Sequence, residues 1–437
     1  MQLRMKVLKS VTPAALLVTI TASSLYASVE VPSPLVLAPK KITITAQNLE
    51  SELFNGDPDI IHEINAVSKA KDMLNEARAN LLPSINITGL VGQVSPMFML
   101  SSVSCLVPFL FPSKWFDLKT SKKTYQSEQV GLKVTKLNVF ATAYTLISRV
   151  EGDEATLLVT AEQDKRFDEY LAQMKTRLDA GLIPLEDYEL AEIDSRQRDS
   201  NLSKMRQLVD DEHATMRKLF GYPLTTEFNL ALGDVGASDY ETVSPTSVID
   251  HVISVAPEKQ QLDLLAIAAK ASIRSSQWSF LSGCGGGQSQ MSSVSGGSSF
   301  NLTSGASANL GFGIFPQVKL ARHNALEVDL RSHDLGLELG RLLEDTIEAA
   351  QETKLRLADA DANVKESELV LTKEIALYAS GHGTIVDVIH DYSIVAQART
   401  DFISASTELA GHRITLKRLA MADQFAAIMA EGTTPKP

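Results

Sequence analysis

Few residues of this chain are arranged for catalysis. The stretch GCGGGQS, residues 283–289, has the glycines of a phosphate-binding loop but lacks its lysine and follows no buried parallel strand. His382 and His390 stand eight residues apart, a pattern that gives little support to a metal site. They read as solvated residues, or as groups that answer to pH. Cys105 and Cys284 are too few for a disulfide scaffold; one bridge and two free thiols both fit them. No nucleophile elbow, zinc-ligand spacing or paired catalytic carboxylates occur, so neither an enzyme nor a cofactor is expected. What does recur is a turn. LDAGLIPLEDYELAEIDSRQ (178–197) is answered by YASGHGTIVDVIHDYSIVAQA (378–398), with Gly181 and Asp187 matched by Gly381 and Asp387.

The 437 residues suffice for two or three ordinary domains, and the net charge of −12 argues against nucleic acid or an anionic membrane surface as partner. Residues 1–27 resemble a secretory signal peptide. Arg4, Lys6 and Lys9 precede an apolar run from Val11 to Ile20, and Ser23, Ser24 and Ala27 supply small residues near a cleavage site at Ala27. No later segment offers the ~18 consecutive apolar residues of a spanning helix. An exported chain without a helical anchor is expected.

The elements that carry the turn are long helices. Residues 28–44 read as an extended lead-in, and Asp57-Pro58 is a helix start with Asp57 as N-cap. Its pattern runs through Ile61, Ile64, Val67, Ala70 and Leu74. Ile85, Ile87 and Gly89 then alternate as a strand, and a second apolar stretch ends at Phe111-Pro112. A helical tract over residues 114–180 follows, with Phe167, Tyr170, Leu171, Met174 and Leu178 on one seam. At 1.5 Å per residue it is about 100 Å long, too long for an ordinary globular core. A further helix runs to Phe220. After an irregular stretch over 222–243 the order repeats: Ser244-Pro245, Ala256-Pro257, a strand over 306–314 closed by Phe315-Pro316, a tract from Leu320 to Ser380, and a last helix to Met429. On that helix Ile385, Val388, Tyr392, Val395, Phe402, Ala405, Leu409, Leu416 and Leu419 form a seam that fits a coiled coil or an amphipathic helix. The chain therefore reads as two structural repeats, 28–221 and 222–437 with its C-terminal tail.

Strands with one apolar and one small or polar face fit a membrane barrel. Single-chain barrels have at least eight strands, and open edges are not tolerated in lipid. Several copies would have to close one barrel together. The Ser/Gly-rich residues 282–305 also fit a linker between two coiled-coil rods.

The segments EARANLLPSINITG (76–89), VPFLFP (107–112), AGLIPLEDYELAEIDSRQ (180–197), LFGYP (219–223), FGIFP (312–316) and YASGHGTIVDVIHDY (378–392), in this order and duplicated, resemble the TolC family of outer-membrane efflux proteins. The resemblance spans residues 45–421. It implies a mainly α fold with a small β part: tandem-duplicated coiled-coil helices forming a periplasmic α-barrel. Four strands per chain would join a trimeric 12-stranded barrel in outer-membrane lipid. It further implies a homotrimeric exit duct for efflux or type I secretion, working with an inner-membrane transporter and a periplasmic adaptor. The alternative is a soluble periplasmic coiled-coil adaptor or scaffold.

In proteins of that family the turns form the periplasmic tip. The resemblance makes Ala180-Gly181-Leu182 and Ser380-Gly381-His382 the adaptor-docking tip. Asp187 and Tyr378 would be partners in a hydrogen-bonded lock, and Asp387 part of an acidic ring. Two departures stand out. Gly383 replaces a frequent arginine, and His390 replaces an acidic residue beside Asp391, which implies a lock with fewer charged bonds.

Overall fold

The structure, a computed structural model, describes residues 41–82, 108–279 and 314–430. The expected strand around residues 85–89, most of the next apolar stretch, the strand over 306–313, the glycine-rich segment and both cysteines lie outside the described residues. So does the expected signal peptide.

The described chain is mostly helical, and its helices come in two matching sets. β1 (Lys41–Thr45) leads into α1 (Leu49–Gly56) and α2 (Pro58–Ala79). α3 (Pro112–Asp179, 68 residues) and α4 (Leu185–Leu219, 35 residues) form the first hairpin. β2 (Glu227–Ala231) opens the second set, followed by α5 (Pro245–Val255) and α6 (Pro257–Trp278). α7 (Ile314–Ala379, 66 residues) and α8 (Ile385–Leu419, again 35 residues) form the second hairpin, and α9 (Gln424–Ala430) ends the described chain. α2 and α6 are both 22 residues long.

Asp57 starts α2 as its composition requires: its Oδ1 accepts from Asp59 N at 2.9 Å and Ile60 N at 3.1 Å, and Pro58 needs no donor there. The matching starts of α5 and α6 have Pro in the first turn but no side-chain cap bond, at Ser244 or at Ala256.

Several boundaries differ from the sequence reading, each for a local reason. Residues 41–45 are a strand rather than lead-in, because Ile42 and Ile44 alternate with exposed Lys41 and Thr43 and pair in parallel with Glu227–Ala231. Residues 222–243 therefore hold β2 and a short 3-10 segment at Asp239–Thr242. A 3-10 turn at Pro108–Leu110 ends the apolar stretch before Phe111, and α7 already begins at Ile314, since Pro316 is tolerated in a first helical turn. Ile60 rather than Ile61 faces the core, and Phe402 is exposed while Ala398 takes its place in the seam. α8 stops at Leu419 because Met421 and Asp423 adopt positive φ, and α9 folds back to bury Phe425 and Ile428.

The main core sits at the hairpin bases, where Ile44, Leu53, Ile60, Leu137, Phe140, Ile147, Met216 and Phe220 are buried together. There Gly56 and Gly221 pass backbone to backbone. A Cβ on Gly56 would lie 2.1 Å from Phe220 O, and Gly221 has φ +67°. Arg418 of α8 joins the two sets, its Nη2 donating to Asn138 Oδ1 of α3 at 2.7 Å, and it also bonds Glu258 of α6; within the second set Arg413 Nε donates to Glu241 Oε1 at 2.8 Å. No described helix is long and apolar enough to cross a membrane.

Near the base of the first hairpin, Asp153 of α3 and Glu212 of α4 bury two acceptor oxygens, Asp153 Oδ2 and Glu212 Oε2, that lack a donor. Arg149 Nε lies 3.2 Å from Glu212 Oε1. Burial first, then the facing Asp153 carboxylate, push Glu212 from 4.5 up to about 7. A carboxyl raised in the folded state favours folding below its unfolded value, and that contribution is lost as pH rises through the folded value. Wild-type stability should therefore fall between about pH 4.5 and about pH 7, with Glu212→Gln flattening that loss. Denaturant midpoints across this range test it; parallel curves for both proteins would remove the carboxyl pair as the cause.

Candidate functional site

The site is the tip, where both hairpins turn. Each turn puts a glycine at positive φ, Gly181 at +69° and Gly381 at +80°, with open space beside it. The N–H groups of Gly181 and Leu182 return to Leu178 O and Arg177 O at 2.8 and 2.9 Å, and those of Gly381 and His382 to Tyr378 O and Leu377 O at 3.0 Å each. Ala180, Gly181, Leu182, Ser380, Gly381 and His382 are all exposed, Leu182 at 74%.

The two turns share a backbone and differ in what their aspartates do. Asp187 and Asp387 occupy the same position, the third residue of α4 and of α8. α8 is capped by Thr384, whose Oγ1 accepts from Asp387 N at 3.2 Å and donates to Asp387 Oδ2 at 2.6 Å. α4 is preceded by Pro184, which has no hydroxyl, so the Asp187 carboxylate is not engaged by a cap. It accepts instead from Tyr378 Oη at 2.9 Å, across from the end of α7. The reverse contact has no chemistry, since the first hairpin carries Leu178 where the second carries Tyr378.

Tyr378 is buried at 8% exposure in a cluster with Phe167, Tyr170, Met174, Ala191, Ile385, Val388 and Tyr392. Burial, then its bond to Asp187 and the charge there, push its phenol up to about 12. The donor is thus kept at every pH a cell meets. The structure brings together the expected lock pair. Asp387, His390 and Asp391 share one face of α8, opposite buried Val388 and Tyr392. Asp387 and His390 are exposed, and Asp391 lines a groove with Glu366, Val370 and Ile394. One chain does not bring their copies into a ring.

Gly383 has a steric reason. A Cβ there would stand 3.0 Å from Tyr378 N and 2.8 Å from Glu374 Oε1, so any side chain would press on the residue that makes the lock. The sequence reading missed Arg198, whose guanidinium is buried behind the lock, 4.6 Å over the Phe167 ring and 5.9 Å from that of Tyr392. The only signal was a cation on the inner face of α4.

This architecture is the fold of TolC-like outer-membrane channels. The structure is similar to VceC, an outer membrane protein of Vibrio cholerae, with TM-score 0.65 and 11% identity over 86% of this chain and 96% of that one. It is similar to the CmeC outer membrane channel of Campylobacter jejuni, with TM-score 0.63 and 12% identity over 89% and 87% of the two chains. The open state of the MtrE outer membrane channel of Neisseria gonorrhoeae matches with TM-score 0.60 and 10% identity over 86% and 89%. No protein-family model matches the sequence, and no curated protein matches it.

Tyr378→Phe keeps the packed ring and removes the donor to a charged acceptor, a bond worth about 1.5–3 kcal/mol. Amide hydrogen exchange over residues 378–392 should accelerate about tenfold or more, while residues 409–419 keep their rates. Equal rates in both proteins at the tip would show that the bond does not hold it.

Proposed function

We propose that the chain is one subunit of a homotrimeric outer-membrane channel, the exit duct for an inner-membrane transporter joined through a periplasmic adaptor. Its periplasmic tip is the gate. The observation that carries this reading is the doubled hairpin pinned tip to tip by Tyr378 and Asp187. A duplicated rod with a cross-hairpin bond at its free end is suited to close a tube and to release it.

Exposed apolar side chains favour further copies along the helices. Leu326, Leu330, Leu337, Leu355 and Leu369 of α7 are each more than half exposed, more than a lone rod in water would leave uncovered. Exposed Leu182 and Leu185 at the turn give an adaptor an apolar foothold. The similar structures are outer membrane proteins and channels, which agrees with this location and role. Around a three-fold axis, Asp387 with His390 and Asp391 beside it would line the mouth with carboxylates and favour cations.

Two measurements test this. Fractionation should place a heat-modifiable trimer in the outer membrane; a monomer in the soluble periplasmic fraction contradicts the channel. In planar bilayers the wild type should be cation-selective, and Asp387→Ala should lose much of that preference. Unchanged selectivity in the variant removes Asp387 from the mouth.

A further inference from the structure

Arg198 holds a position that a solvent-facing helical cation does not. Its side chain is only 10% exposed, and Asp194, one turn earlier on α4, accepts from its Nε at 2.6 Å. The rest of the guanidinium leaves the first hairpin: Nη2 donates to Ser393 Oγ of α8 at 3.1 Å. Its plane covers Phe167 of α3 and reaches Tyr392 of α8, which meet edge to face at 5.1 Å. Three helices from both hairpins therefore converge on one side chain.

We infer that Arg198 is a second positioning residue of the closed tip, holding α4 against the second hairpin about three helical turns behind the bond of Tyr378 to Asp187. This rests on the reading of the tip as a gate. Two observations single out Arg198. Its counterpart in the second repeat is Ala398 and that of Tyr392 is Glu192, so the contact exists in one direction only, as the lock does. Both contacts also run from α4 to the second hairpin, so α4 is the element held at two heights.

The layer around Arg198 is also built to come apart. Tyr170 Oη and Asp164 Oδ2 are buried there without a hydrogen-bond partner. Water would satisfy both once the hairpins part, so closing the tip leaves a cost that opening relieves. Burial raises both the Tyr170 phenol and the Asp164 carboxyl from their usual values, the same cost seen by their protons. Arg198 offsets it by joining the two hairpins through a charged group and an aromatic face.

The test uses the full-length trimer with Arg198→Met, which keeps apolar bulk, Arg198→Lys, which keeps charge without the planar fork, and Ser393→Ala, which removes one acceptor. Trimer assembly is checked first, and Ser393→Ala carries the test if Arg198→Met does not assemble. Amide exchange over residues 185–198 and 385–395 should rise about tenfold in Arg198→Met and less in Ser393→Ala, with Arg198→Lys between wild type and Arg198→Met. Residues 409–419 should be unaffected. Combined with Tyr378→Phe, the increase should exceed that of either change alone. Unchanged tip exchange overturns the inference, as does an equal rise at tip and base, which would make Arg198 a general packing residue. Faster tip exchange without any rise in bilayer open probability leaves Arg198 as a pin of the tip and removes the gate reading instead.

Discussion

The hydrogen bond from Tyr378 to Asp187 matters because of where it stands. It joins the free ends of two helical hairpins whose longer arms are each about 100 Å long, far from the main core at the hairpin bases. A long coiled coil gains its stability locally, turn by turn, and transmits little of it to its end. Whether the two tips stay together is decided by the few groups that meet there. Tyr378 is a neutral, buried donor, and Asp187 is an acceptor that the helix start leaves available. Everything behind them, from the aromatic layer to Arg198, determines how long that bond survives a fluctuation.

Duplication sets the frame, and divergence at a few positions supplies the contact between the turns. Both hairpins have a glycine at positive φ, an aspartate at the third helical position and a second helix of 35 residues. Two symmetric copies would give either two locks or none. Pro184 in place of Thr384 frees one aspartate, and Tyr378 in place of Leu178 gives it one donor. The remaining aspartate is held by its own cap and faces out on α8. One repeat position thus yields a lock on one copy and a surface charge on the other.

The long helical tracts and both turns were legible in the sequence, because helical periodicity and glycine turns are local signals. The pairing of Tyr378 with Asp187 was expected only from the resemblance to the TolC family. The rest depends on distant partners. Residues 41–45 become a strand only because 227–231 lie beside them. Met421 takes a left-handed conformation where the first copy has Gly221, and nothing local in a methionine announces it. Arg198 is one cation among many until Phe167 and Tyr392 are brought under it from two other helices. The reason for Gly383 is likewise a distance, 3.0 Å to Tyr378 N, and not a composition.

One asymmetric contact, on this reading, keeps the two turns of a subunit together. It is tested most directly by pulsed electron–electron resonance between spin labels at Leu182→Cys and His382→Cys, with Cys105 and Cys284 replaced by serine and one labelled chain in each mixed trimer. A single narrow distance is expected when Asp187 is present, and a broader, longer distribution with Asp187→Ala. The same narrow distance in both proteins would contradict it.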